Sequence, residues 1–115
     1  MSIEERRSSL RAPVAISVTE EYQNKEQSVT ATDICEHGMK YIRPMDQFLR
    51  SGEEVLLTFS LMDKVNQIKV LSWVVEERKE KDHISTHVTF MFLPENDETA
   101  IRNFVTAKTS ISDIH

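Results

Sequence analysis

Cysteine, glycine and proline are scarce in this 115-residue chain, which has one, two and three of them. A single cysteine, Cys35, excludes an intrachain disulfide framework and a multi-cysteine zinc site. No apolar run approaches the roughly 20 residues of a membrane span. Met1 to Ser9 are charged and polar, unlike a signal peptide or a lipid-embedded anchor. Together these absences predict a reducing, cytoplasmic setting with no membrane insertion. Positive charge is also short, since the formal net charge is −5. A general DNA or RNA binder needs a broad basic footprint to displace counterions. A single-strand-binding barrel needs stacking aromatics, and these are only 7% of residues. No nucleic-acid partner is therefore expected.

What is present is ordinary globular material, 39% hydrophobic and 29% charged, in a length that suits one domain. Period-two alternation dominates. It predicts strands at about 13–20 (Val14, Ile16, Val18), 26–33 (Val29, Ala31), 38–43 (Met39, Tyr41) and 53–62 (Val55, Leu57, Phe59, Leu61). A fifth, about 66–78, changes phase between Ile68-Val70 and Leu71-Trp73-Val75, as a bulge or a strand buried on both sides would. A sixth, about 82–92, takes its face from Val88, Phe90 and Phe92. Pro94 then stops the sheet, Asn96 or Asp97 offers a cap, and Ala100, Ile101, Phe104 and Val105 follow helical spacing over about 97–108. The predicted fold is all-β with one helix: a six-stranded antiparallel β-barrel with a C-terminal α-helix. Residues 1–12 form an N-terminal arm, 13–108 the barrel and helix, and 109–115 a polar tail. Gly52 fits a hairpin turn, and Gly38 either a positive φ or a close backbone approach. The methionines read as core or edge filler, and Glu76 to Asp82 as a solvated hairpin tip.

Charge is unevenly placed. Residues 1–11 hold Arg6, Arg7 and Arg11 against Glu4 and Glu5, net +1, which leaves −6 for the rest. Such an arm on an acidic body suits a compact anionic partner, although on charge alone a solvated arm with no partner is the favoured reading. Arg7 and Arg11 form an RxxxR, two forked donors able to grip a phosphate or the Hoogsteen edge of guanine. Asp33, Cys35 and Gly38 form a D-x-small-x-x-G, in which a carboxylate can accept from guanine N1 or N2 and the small residues leave room for a flat base. Cys35 and His37 lack a third orienting group for thiol catalysis. His83 and His87 would lie about 13 Å apart on a strand, too far to share a metal. No catalytic or metal site is expected.

Each arginine or aspartate motif is common by itself; their order, RxxxR before the first strand and D-x-small-x-x-G at the turn into the third, is more specific. In this ordering the chain resembles the PilZ domain family, and the resemblance continues through Gly52, Trp73, Val88-Thr89-Phe90 and the closing helix, over roughly residues 4–107. It implies a six-stranded barrel with a terminal helix, no enzymatic activity and no cofactor, and binding of the second messenger cyclic di-GMP. It also implies roles: Arg7 and Arg11 as phosphate and base clamps, Asp33 as base reader, Cys35 in the small-residue position and Gly38 at a close approach. An arginine before the RxxxR, here Arg6, accompanies a stacked pair of ligands in the family; the alternative is that Arg6 pairs with Glu4 or Glu5. An arm ordered by the nucleotide would signal to a protein partner. Two departures stand out. Cys35 replaces the usual Ser with a weaker hydrogen-bonding group, and Ser85-Thr86-His87 fills a stretch where many members have a glycine, crowding the ligand. Members that bind no nucleotide typically lack the arginines, so a ligand-blind protein-protein adaptor is the alternative reading.

Overall fold

The computed structural model describes residues 11–61 and 67–113, with side chains as far as Thr109. Six strands, β1 (Ala12–Tyr22), β2 (Lys25–Cys35), β3 (Gly38–Arg43), β4 (Glu54–Phe59), β5 (Ile68–Lys79) and β6 (Ile84–Phe90), precede one helix, α1 (Glu95–Asp113). All strand pairs are antiparallel, and the order β1-β2-β3-β6-β5-β4 closes into a barrel. Closure removes the unpaired edges that would otherwise invite aggregation.

The predicted alternation is physically realised: Ile16 and Val18, Val29 and Ala31, Met39 and Tyr41, and Val55, Leu57 and Phe59 all point inward and are buried. Phe59 and Phe90 stack inside with ring centroids 6.3 Å apart. The expected phase change between Ile68-Val70 and Leu71-Trp73-Val75 does not occur: Ile68, Val70, Ser72 and Val74 keep one inward parity, and the bulge of β5 comes later, between Val74 and Glu76. Ile68, Val70 and Val74 face in, while Trp73 and Val75 face out and are 42% and 48% exposed. The strand is therefore not buried on both sides.

Several boundaries differ from the sequence reading for identifiable reasons. β1 and β2 run closer together than predicted because Gln23 and Asn24, with φ of 51° and 66°, make a two-residue turn without glycine. Phe92 lies beyond β6 and is 83% exposed, so it does not share the inner face of Phe90. Met39 is buried but Met45 is not. The helix starts at Glu95, where the Pro94 carbonyl accepts the Glu98 N–H at 2.9 Å. Asn96 and Asp97 thus sit in the first turn rather than capping it, and Asp97 joins Glu95 and Glu98 at the favourable end of the helix dipole. The helix continues to Asp113 instead of ending at 108. The predicted tail is thus largely helical, and Thr109 Oγ1 turns back onto the Val105 carbonyl at 3.0 Å.

Glu77 departs from the sequence expectation. It is not part of a solvated tip: because the bulge reverses the parity of β5, Glu77 turns toward Arg43, and both side chains are 0% exposed. Arg43 donates from Nε and Nη2 to the two carboxylate oxygens at 2.8 and 2.7 Å, and also to Gln47 and the Phe48 carbonyl. Thr86 and the Arg50 backbone N–H also donate to Glu77. Burial pushes this carboxyl upward, but the bonds from Arg43, Thr86 and Arg50 prevail and hold it below the usual range. Nearby, buried Glu20 accepts from Tyr41, Gln27 and Arg50. Burial and then the Glu20 charge raise the Tyr41 phenol, keeping it a neutral donor. This polar cluster joins the far ends of β1, β2 and β3 to the 44–53 connection, at the end of the barrel away from Arg11.

Candidate nucleotide site

Arg11 enters the barrel one residue before β1, and the register pairs Ala12 with Ile34 and Pro13 with Asp33. That pairing brings together residues 22 positions apart. Arg11 Nη1 donates to Asp33 Oδ1 at 2.5 Å, with the two side chains 35% and 23% exposed. One residue from each half of the sequence pattern therefore meets the other on the outer wall, where a carboxylate and a forked donor share one surface. Arg6 and Arg7 lie outside the described residues.

Cys35 and Gly38 close the β2–β3 hairpin around the two-residue turn Glu36-His37. Cys35 is buried, and its Sγ accepts the His37 N–H at 3.4 Å. The thiol thus braces the turn. Gly38 has no positive φ, so that alternative drops out. The second alternative holds: a β-carbon at Gly38 would collide with the Val88 carbonyl oxygen of β6. The turn is tied down twice more. The His37 carbonyl accepts the Phe90 N–H at 2.8 Å, and Glu36 accepts from Arg102 of α1 at 3.0 Å.

Two side chains absent from the sequence-derived site join it. The register aligns Asp33, Lys40, His87 and Glu76 as successive cross-strand partners on β2, β3, β6 and β5. Arg11 Nη2 donates to His87 Nε2 at 3.1 Å, so this ring nitrogen carries a lone pair and the proton of the neutral imidazole sits on Nδ1. Burial, then the charges of Arg11 and Lys40, lower the His87 pKa; Asp33 and Glu76 oppose them. A cleft of about 230 Å³ opens here, lined by Arg11, Lys40, Glu76, Arg78, Glu80 and His87 among others. The parity of β3 and β6 marks Lys40 and His87 as outward-facing, but only the strand order β2-β3-β6 sets them beside Arg11. Trp73 stands on the same wall, opposite Thr89, which in turn pairs with Gly38.

Arms, turn and closed barrel occur in one continuous match: the PilZ domain profile covers residues 5–107. The chain belongs to the PilZ domain family. Solved structures agree in fold. The motility inhibitor MotI/DgrA of Bacillus subtilis superposes with a TM-score of 0.82 at 14% identity, over 89% of this chain and 50% of that one. This PilZ chain thus spans half the length of that protein. The PilZ domain of YcgR from Escherichia coli, solved with c-di-GMP, gives 0.69 at 12% identity, covering 90% and 89%. The PilZ domain of CeSA from a cellulose-synthesizing bacterium gives 0.63 at 13%, covering 86% and 97%. No curated protein matches by sequence. The PilZ family comprises cyclic di-GMP receptors rather than known enzymes. Among the described residues, no helix is long and apolar enough to cross a membrane, and no three side chains gather as a metal site.

Proposed function

We propose that this PilZ domain is a non-enzymatic receptor for cyclic di-GMP. In this reading Arg7 and Arg11 clamp phosphate and guanine, Asp33 reads a guanine edge, and Arg6 supports a second, stacked nucleotide. Cys35 braces the turn, and Gly38 keeps it close to β6. The observation that carries the reading is the Arg11–Asp33 pair, which joins the two halves of the family pattern on one outer wall. Nucleotide phosphates compete for the Arg11 guanidinium, leaving the Asp33 carboxylate to accept from the base. A covered and ordered arm then changes the surface offered to a protein partner. The link from the turn to the helix through Glu36 and Arg102 provides one rigid neighbour for such a change.

Calorimetric titration with cyclic di-GMP tests the assignment. Arg7→Ala and Arg11→Ala are each expected to lower affinity at least tenfold while the barrel stays folded, because a charge-assisted hydrogen bond is worth roughly 1.5–3 kcal/mol. Wild-type affinity in both variants would reject the site. One observation favours the ligand-blind adaptor: the Cys35 thiol is buried and bonded to the His37 backbone, so it offers a ligand little. Heat-free titration of the wild-type chain at high nucleotide concentration would decide for that adaptor.

A further inference from the structure

We propose that Lys40 and His87 form a phosphate-holding pair beside Arg11, with His87 binding as an imidazolium. The inference rests on the nucleotide-receptor reading and extends its site to two residues outside the sequence pattern. The ligand chemistry they recognise is a phosphodiester anion.

Three observations support it. First, Lys40 and His87 are direct cross-strand partners, and Lys40 is also opposite Asp33, so both flank the Arg11–Asp33 pair. Second, Lys40 is exposed and its side-chain ammonium makes no ion pair or hydrogen bond among the described residues, whereas Arg11 is paired with Asp33 and Arg78 with Glu76. It is the cation of the cleft available to an incoming anion. Third, His87 Nε2 is directed at Arg11 Nη2, at the point where a phosphate gripped by Arg11 would arrive.

The charge around His87 determines its protonation. Arg11 approaches from the segment before β1, Asp33 from β2, Lys40 from β3, and Glu76 and Arg78 from β5, with Glu80 farther along the cleft. Burial and the two nearest cations keep the ring neutral, and the Arg11 N–H satisfies its lone pair. A phosphate that draws the Arg11 N–H away and neutralises Arg11 and Lys40 reverses that balance. Nε2 then takes one proton from solvent or buffer and donates it as a hydrogen bond to a phosphate oxygen. The sign follows from linkage. His87 starts below its ordinary value and rises in the complex, so between those two values the complex holds more protons. Affinity therefore increases as pH falls through that window and is flat above it.

Calorimetry with cyclic di-GMP at pH 6, 7 and 8, at constant ionic strength and in buffers of different ionisation enthalpy, reads both affinity and proton uptake. The wild-type chain is expected to bind about threefold to tenfold more tightly at pH 6 than at pH 8, with net proton uptake. His87→Gln should still bind but lose both the slope and the uptake. Lys40→Gln should weaken binding about threefold to tenfold at every pH. An unchanged slope in His87→Gln, or tighter binding by His87→Gly at pH 6, would overturn the role of His87. Wild-type affinity in Lys40→Gln would overturn that of Lys40. Absence of binding by the wild-type chain at every pH would overturn the receptor reading itself, an outcome distinct from binding without a pH slope.

Discussion

Glycine does two different jobs here. Gly52 has a φ of +86° and nothing within 4 Å of where a β-carbon would stand. Gly52→Ala thus brings only the left-handed backbone cost, about 1–2 kcal/mol. Gly38 has ordinary φ but meets the Val88 carbonyl, which is held in the β6 ladder and cannot yield as a flexible side chain can. Gly38→Ala is expected to cost about 1–3 kcal/mol by steric overlap and to separate β3 from β6 next to Asp33. Urea denaturation measures both losses. Nucleotide titration should show impaired binding for Gly38→Ala and near wild-type binding for Gly52→Ala. At Cys35, Ser occupies nearly the same volume and its oxygen accepts the His37 N–H better than sulfur does. Cys35→Ser should keep the fold and preserve or modestly tighten cyclic di-GMP binding; a large loss by calorimetry would show that the thiol itself is required.

Between elements, the Arg43–Glu77 pair couples β3 and β5 to the connection that precedes β4. Arg43 holds the Phe48 carbonyl, Glu77 holds the Arg50 N–H, and Gly52 and Glu53 bond to Val74. This explains how a connection with Phe48 91% exposed is nevertheless tied to the barrel at several points. Glu77→Gln leaves a buried guanidinium without its counter-charge and should destabilise the chain by about 3–5 kcal/mol in urea denaturation. Replacing both partners, as in Arg43→Met with Glu77→Leu, should cost less, since neither charge is then stranded. The pH dependence has a definite sign. Because the folded state lowers the Glu77 pKa, its contribution is complete above the ordinary glutamate value and is lost as pH falls through the folded one. Acid unfolding of Glu77→Gln should lack that component.

At the scale of the whole molecule, a closed barrel in a chain of net charge −5 brings Arg11 and Asp33, the described part of the proposed nucleotide site, together on its outer wall. Two stacked cyclic di-GMP molecules would bring four phosphates together, and a third guanidinium at Arg6 would offset part of their repulsion. Saturation at two nucleotides per chain is therefore expected, with Arg6→Leu moving the ratio toward one. Calorimetric stoichiometry checks this, and saturation of the wild-type chain at one would reject it.

The sequence by itself determined the barrel, because burial on one face of a strand imposes a period of two and each inward run is punctuated by polar turns. The order of the two motifs, through their resemblance to the PilZ pattern, also pointed to Arg11 and Asp33 as parts of one site. Tertiary structure decided what depends on neighbours from other strands. A bulge at Val75 changes parity locally, so a run of charges from Glu76 to Asp82 conceals a glutamate that faces inward to meet Arg43. The turn at Gln23-Asn24 lacks the usual glycine, so its tightness is visible only in its dihedral angles. Lys40 and His87 lie 47 positions apart and become neighbours because β6 inserts next to β3 in the closed sheet. Local spacing carries the period of an element, whereas the register between elements arises from long-range pairing. The electrostatic surroundings of His87, drawn from three other strands and the segment before β1, therefore exist only in the folded molecule.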